Sequence, residues 1–190
     1  GGGGEDRGGQ GVGGAGWVWS PKRVMTNARV VGGVTEPKVL VDGAVVDATV
    51  VYYDPKVDVA VLALTDDVVA PYLSFDTGGS ARDVGAVVGY PNDGPYAAVP
   101  ARVRVEQRLR SPDIYGRGTV TRSVFSLRAN VQPGNSGGPL VATNGRVYGV
   151  IFAASISDPQ TGYALTAQQV AKAATTGIDA SQAVSTQGCA

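Results

Sequence analysis

No histidine occurs in the 190 residues, and cysteine occurs once, as Cys189. Zinc takes about four ligands, drawn mainly from these two residue types, so a structural zinc is excluded and no metal site is expected. A disulfide within the chain is excluded too, because Cys189 has no partner. An excess of one charge is also missing: Lys plus Arg and Asp plus Glu stand at 16 each. No global field draws such a chain to nucleic acid or to an anionic membrane, so neither is expected as a partner. The longest apolar run, Val57 to Leu64, is interrupted by Asp58 and falls far short of the roughly 20 residues a membrane helix needs. Membrane attachment is expected only through a segment outside this chain.

What is abundant is valine, together with 28 glycines and 11 prolines. β-branched residues between turn formers favour many short strands, which makes an all-β fold the first expectation. Gly1 to Gly16 is mostly glycine with a few polar residues, too little apolar surface to offset its ordering entropy, and residues 1–13 read as a leader. From Trp17 the texture changes. Trp17–Trp19, Val24–Thr26, Lys38–Val41 and Ala44–Tyr53 are β-rich, and Asp42-Gly43 suits a two-residue hairpin turn. After a linker near Asp66 to Ser80 a second group follows: Val84–Tyr90, Val99–Leu109, Thr119–Leu127, Pro139–Val141, Arg146–Phe152 and Thr161–Leu165. Asn144-Gly145 marks its clearest hairpin. Ala167–Thr176, with Gly177 behind it, reads as the one helix.

The most specific stretch is Gln132-Pro133-Gly134-Asn135-Ser136-Gly137-Gly138-Pro139-Leu140. A serine on a glycine-rich turn exposes its hydroxyl, and the same turn can aim the N–H groups of Gly134 and Ser136 at one point as an oxyanion hole. Gly134-x-Ser136-x-Gly138 also fits the nucleophile elbow of α/β-hydrolases, but that motif needs a helix directly after the serine. Pro139 and the β-like Leu140-Val141 argue for a strand instead. Asp58, at the head of the apolar strand Val59-Ala60-Val61-Leu62, is a candidate for the buried acid that orients a base; its plainer reading is a strand-start residue facing solvent. Arg102, Arg104, Arg108 and Arg110 alternate along a strand and read as one solvated face, a surface for acidic lipid or substrate being the alternative.

Thr26-Asn27-Ala28-Arg29-Val30-Val31, Asp58-Val59-Ala60-Val61-Leu62 and Gly134-Asn135-Ser136-Gly137-Gly138-Pro139, in this order, resemble the triad signatures of the trypsin-like serine proteases, especially the bacterial HtrA/Deg branch. Gly89-Tyr90-Pro91, Pro112-Asp113-Ile114-Tyr115 and Gly162-Tyr163-Ala164-Leu165 narrow the likeness to a mycobacterial group of membrane-anchored periplasmic serine proteases involved in acid resistance. The resemblance covers roughly Gly14 to Cys189. It implies two six-stranded antiparallel β-barrels of the chymotrypsin-like fold with a short C-terminal helix. The first barrel would span 14–75, and the second barrel with the helix 76–190. It also implies a periplasmic or extracellular endopeptidase that acts on peptides or proteins without a cofactor. Ser136 would be the nucleophile, Asp58 the orienting acid, and Gly134 and Ser136 the oxyanion hole. Asn130, Ala153, Ala154, Ser155 and Gly162 would line the specificity pocket; with Asn130 neutral, a small or medium apolar side chain is the expected preference. A second cysteine near the start of the domain would be the implied partner of Cys189, and this chain has none.

Arg29 stands where the family has its histidine. A guanidinium stays protonated to a pKa above about 12 and offers only donors, so Arg29 cannot take the proton from Ser136. Lys22, Lys38 and Lys56 are the lysines of the first barrel, and nothing in their spacing supports a Ser-Lys dyad. An Arg29–Asp58 ion pair fits better, because an arginine fork matches a carboxylate. The expectation is a folded, nearly inactive serine endopeptidase; the alternative is a noncatalytic peptide-binding pseudoprotease. Three accounts of Arg29 stay open at this point: an introduced substitution, a natural pseudoprotease, or a motif aligned on the wrong residue.

Overall fold

The computed structural model describes residues 13–190; the expected leader lies almost wholly outside the described residues. Two antiparallel sheets follow one another. The first has five strands: β1 (Trp17–Ser20), β2 (Arg23–Thr26), β3 (Lys38–Val41), β4 (Ala44–Asp54) and β5 (Val59–Leu64), in spatial order β1-β2-β5-β4-β3. The second has six, β6 (Val84–Gly89), β7 (Ala97–Ser111), β8 (Val120–Arg128), β9 (Pro139–Ala142), β10 (Val147–Ala154) and β11 (Thr161–Thr166), which close into a barrel. The expected second barrel closes with all its strands. The first unit shows five strands among the described residues where six were expected. A four-residue helix, α1 (Ala28–Val31), and a C-terminal helix, α2 (Ala171–Gly177), complete the architecture. No helix of the described residues is long and apolar enough to cross a membrane.

Local chemistry explains the connections. Val41 pairs with Ala44, and the two residues between them, Asp42 and Gly43, both have positive φ (48° and 82°), which is the two-residue turn whose twist matches a hairpin. β5 is apolar without alternation because it is buried on both faces. Ala60, Leu62 and Leu64 point into the first unit's own core, while Val59 and Val61 join a cluster shared with the second unit. That shared cluster draws Trp17, Met25 and Val51 from the first unit and Val124, Val150, Phe152 and Leu165 from the second. It is the seam on which Asp58 sits.

The chain ends cross over. α2 packs on β4 and β5 of the first sheet, and Arg23 of β2 donates to the carbonyls of Gly177 and Ala180. Conversely, Ala15 donates to the Ser136 carbonyl at 2.9 Å. The β7–β8 loop also reaches the first unit: Ile114 N–H bonds Pro55 O, and the Tyr115 and Tyr53 hydroxyls lie 2.5 Å apart. The four surface arginines do not share one face. The strand pairing slips between Val103 and Val105, a bulge that reverses the alternation and puts Arg102 opposite to Arg108 and Arg110. Arg104, at the bulge, instead donates to Thr161 Oγ1 at 2.9 Å.

Candidate active site

Asn27 opens α1 in an extended conformation (φ −79°, ψ 149°), which turns the chain sharply after β2. The first helical N–H groups then lack partners within the helix, and the Arg29 N–H finds one in Asp58 Oδ1 at 2.9 Å. The Arg29 side chain follows: Nε donates to Asp58 Oδ2 at 2.6 Å, and an Nη lies 2.5 Å from the same oxygen. That Nη also donates to Phe152 O at 2.6 Å, and the guanidinium sits 5.0 Å from the centre of the Phe152 ring. Arg29 and Asp58, 29 positions apart, are thus in direct contact. Outward, Arg29 borders a cavity of about 380 Å³ shared with Pro112, Asp113 and Ile114.

Asp58 is fully buried at the head of β5, so it is not the solvent-facing strand start of its plainer reading. It sits at φ +75°, a region that costs a non-glycine residue about 1–3 kcal/mol unless its surroundings hold it there. Burial pushes its carboxyl above the ordinary value, opposed first by the charge of Arg29, then by hydrogen bonds from Arg29, and last by the charge of Arg122. Asn27 Nδ2 donates to the Asp58 carbonyl at 2.9 Å, and Asn27 Oδ1 is buried with no hydrogen-bond partner among the described residues.

The pair has a checkable consequence. Removing the guanidinium in Arg29→Met leaves a buried carboxylate unpaired, and about 2–3 kcal/mol of stability should be lost at pH 7. That is less than the ~3–5 expected for a fully buried pair, because the Arg29 side chain is 37% exposed and water screens it. The variant's Asp58 pKa rises further above 3.8 in the fold, so the folded state binds more protons than the unfolded one between those two values. Its deficit against the parent should therefore be full above the variant's Asp58 pKa and vanish as pH falls through it toward the parent's own raised value. Denaturant unfolding of both chains at several pH values reads this, and a deficit independent of pH would refute it.

Ser136 lies on a turn between the end of β8 and β9. Gly134 (φ +93°) and Gly137 (φ +87°) both need positive φ, and a Cβ on Gly137 would lie 2.3 Å from Ala15 O and 2.5 Å from Thr26 Oγ1. The turn is therefore pressed against the segment that leads into α1. Gly137 N–H bonds Ile151 O at 2.8 Å, one residue from the Phe152 carbonyl that holds Arg29. The Ser136 turn and the Arg29 side chain are thus held by consecutive carbonyls of β10. Among the described residues no hydrogen bond reaches its hydroxyl, and the N–H groups of Gly134 and Ser136 donate to no protein acceptor. No helix starts at this turn; β9 follows at Pro139. The α/β-hydrolase geometry is thereby excluded.

These observations meet what is known of other proteins. A family model described as the trypsin-like peptidase domain matches residues 14–150. The chain belongs to the trypsin-like peptidase family. The serine protease Rv3671c of Mycobacterium tuberculosis (strain ATCC 25618 / H37Rv) is 48% identical over 179 residues, which cover 93% of this chain and 44% of that protein. The chain thus spans less than half the length of this relative. The crystal structure of the Rv3671c protease in its active form superposes with a TM-score of 0.88 at 46% identity, covering 95% of this chain and 79% of that one. The inactive form gives 0.75 at 48% identity, covering 84% and 81%. The HtrA-type protease AlgW, solved with a decapeptide, is 25% identical with a TM-score of 0.77, covering 90% of this chain and 52% of that one. The trypsin-like chain accordingly has the chymotrypsin-like fold, with relatives of the HtrA type.

The expected specificity residues occupy one end of the second barrel. Gly162 pairs with Ala154, and a Cβ on Gly162 would lie 2.4 Å from Val131. Asn130 precedes Val131, is exposed, and accepts from Gln132 Nε2 at 2.6 Å. Ala153 is partly buried, and Ser155 Oγ accepts from the N–H groups of Ser157 and Asp158. Three residues that touch the site carry no local signal in the sequence. Asn27 stands inside a motif but reads there as spacing; Phe152 reads as an ordinary core residue; Arg122 reads as one charge among many.

Proposed function

We propose that this trypsin-like domain is the protease domain of a serine endopeptidase in which Arg29 occupies the position of the general base, leaving peptide hydrolysis nearly absent. Ser136 is the nucleophile, Asp58 the orienting acid, and the Gly134 and Ser136 N–H groups the oxyanion hole. The observation that carries this reading is the direct Arg29–Asp58 contact, because it is where a base and its acid would stand beside the Ser136 turn.

The substrate is a peptide or protein. β10 pairs with β9 only through Val147–Val150, so beyond Ile151 its edge facing the Ser136 turn carries no strand among the described residues. An extended peptide can add there as a strand, and AlgW was solved with a decapeptide. Its side chain beside the cleaved bond would enter between Asn130, Ala153, Ala154, Ser155 and Gly162. With no carboxylate among them, a small or medium apolar residue is favoured. Residues 14–75 and 76–190 serve as the two barrel units, and no cofactor takes part. The location is periplasmic or extracellular, in keeping with the Chlamydia pneumoniae relative named as a probable periplasmic serine endoprotease DegP-like, 34% identical over 146 residues that cover 73% of this chain and 28% of that protein.

A second reading, a peptide-binding pseudoprotease, draws on the completeness with which Arg29 is bound by Asp58 and Phe152 O. Titration of the parent and of Arg29→His with a serine-reactive phosphonate and a peptide substrate separates them. Hydrolysis and covalent labelling that arise only in the variant support the disabled enzyme. Peptide binding without hydrolysis in either chain supports the pseudoprotease.

A further inference from the structure

Arg122 is the largest fully buried side chain among the described residues, at 1% exposure on β8 of the second barrel. None of the ion pairs of the described residues involves it. Burying a guanidinium without a carboxylate in contact is costly, and an apolar side chain of similar volume would fill the space more cheaply. Two of its bonds cross the seam, to Val57 O and Lys56 O, and two stay within its own unit. Nε bonds Val57 O at 3.2 Å, and Nη2 bonds Lys56 O at 2.5 Å and Pro112 O at 3.0 Å; Nη1 bonds Ser111 Oγ. Lys56 and Val57 are the two residues before Asp58.

Arg122 completes the hydrogen bonding of that turn's backbone. On the donor side, the Lys56 and Val57 N–H groups go to Asp54 Oδ1, and the Asp58 N–H to Asp54 O. On the acceptor side, Pro55 O receives the Ile114 N–H, Lys56 O and Val57 O receive Arg122, and Asp58 O receives Asn27 Nδ2. Without Arg122, two consecutive carbonyls at the head of a strained, buried residue would lose their donors. The same guanidinium lies 4.9 Å from the Phe152 ring centre, whereas Arg29 lies 5.0 Å from it. Phe152 thus contacts both cations, and Arg122 also supports the residue whose carbonyl faces position 29.

We propose that Arg122 is a positioning residue for the reaction: from the second barrel it holds the Lys56–Asp58 turn of the first, and through it fixes the Asp58 carboxylate toward residue 29. This inference rests on the proposed function, since Asp58 orients a base only if the site is a protease site. Arg122 touches neither substrate nor nucleophile in this role and acts through Asp58. Lysine at 122 keeps the charge but replaces the rigid fork with one flexible ammonium that cannot make all four of Arg122's bonds, whereas methionine loses charge and donors together.

The test places Arg122→Lys and Arg122→Met in the Arg29→His chain, measured well below their melting temperatures with active sites titrated. Displacement of a catalytic group by about 1 Å costs on the order of 10²-fold. We therefore expect kcat to fall about 100-fold in Arg122→Met and about 10-fold in Arg122→Lys, with KM within about threefold. Proton NMR supplies a readout independent of turnover: a deshielded Nδ1 proton on the introduced imidazole, bonded to Asp58, present with Arg122, weakened with lysine and lost with methionine. A lower melting temperature with unchanged kcat per active site and an unchanged resonance would overturn the proposal; should Arg122→Met not fold, the lysine variant decides on the same two readouts. If Arg29→His does not hydrolyse peptide, the proposed function fails, and the resonance still reports whether Arg122 places Asp58.

Discussion

Arg29→His is expected to raise peptide turnover by on the order of 10⁵ to 10⁶, the factor that losing the histidine costs a comparable serine protease. The gain needs the acid to be in place before the change, and two contacts hold Asp58 against residue 29. The backbone N–H of residue 29 holds Asp58 Oδ1 whatever side chain it carries. Asp58 Oδ2, which accepts from Arg29 Nε at 2.6 Å, is then positioned to accept from an imidazole instead. Under the proposed mechanism the second ring nitrogen takes the proton of the Ser136 hydroxyl. Hydrolysis should rise with pH as the imidazole loses its proton, near its ordinary pKa of about 6.5 and above it where the Asp58 carboxylate favours the charged ring. Steady-state kinetics and the rate of phosphonate labelling measure the effect. A variant that melts like the parent yet neither hydrolyses peptide nor takes up phosphonate would remove the case for a disabled enzyme.

Gly134→Ala in the same background should lower kcat by about 10²–10³, the loss seen when one oxyanion donor is removed. Gly134 sits at φ +93°, and a Cβ there would lie 2.1 Å from Tyr90 O, a backbone atom that cannot swing away. The preceding carbonyl, Pro133 O, is itself tied to the Asn92 N–H at 2.5 Å. Relief must come from turning the Pro133–Gly134 peptide, which carries the Gly134 N–H off its target. Gly43→Ala is the control: its φ is also positive, at +82°, but no atom lies within 4 Å of the added Cβ. It should cost only about 1 kcal/mol of backbone strain with kcat unchanged. Equal kcat in the two variants would show that the Gly134 N–H takes no part in the chemistry.

Much of the fold was legible locally. Lys38–Val41 and the Asp42-Gly43 turn appear where the pattern put them, and the strands from Val84 to Thr166 agree with expectation within a few residues. The helix begins later than expected, at Ala171 rather than Ala167; just before it, Gln169 Oε1 accepts from the Ser123 N–H at 2.7 Å. The arginines split between two faces, against expectation, because a bulge leaves no mark in a short alternating pattern.

The candidate site divides in the same way. Ser136 stood out because a nucleophile on a glycine turn needs several unusual residues side by side, and those needs are written in consecutive letters. Asp58 was ambiguous, because an acid at a strand head faces water or the interior depending on what packs above it. Arg122 was invisible, because the two carbonyls that tie it to the site lie 65 and 66 positions away, in the other unit.

From its residues alone, then, this chain determined its strands, its turns and the absence of an imidazole, all of which depend on neighbours a few positions apart. Only the tertiary structure decided that Arg29 forks onto Asp58 and that Arg122 closes the turn beneath it. Two sheets must meet at a seam before a charge on one can be balanced by a group on the other.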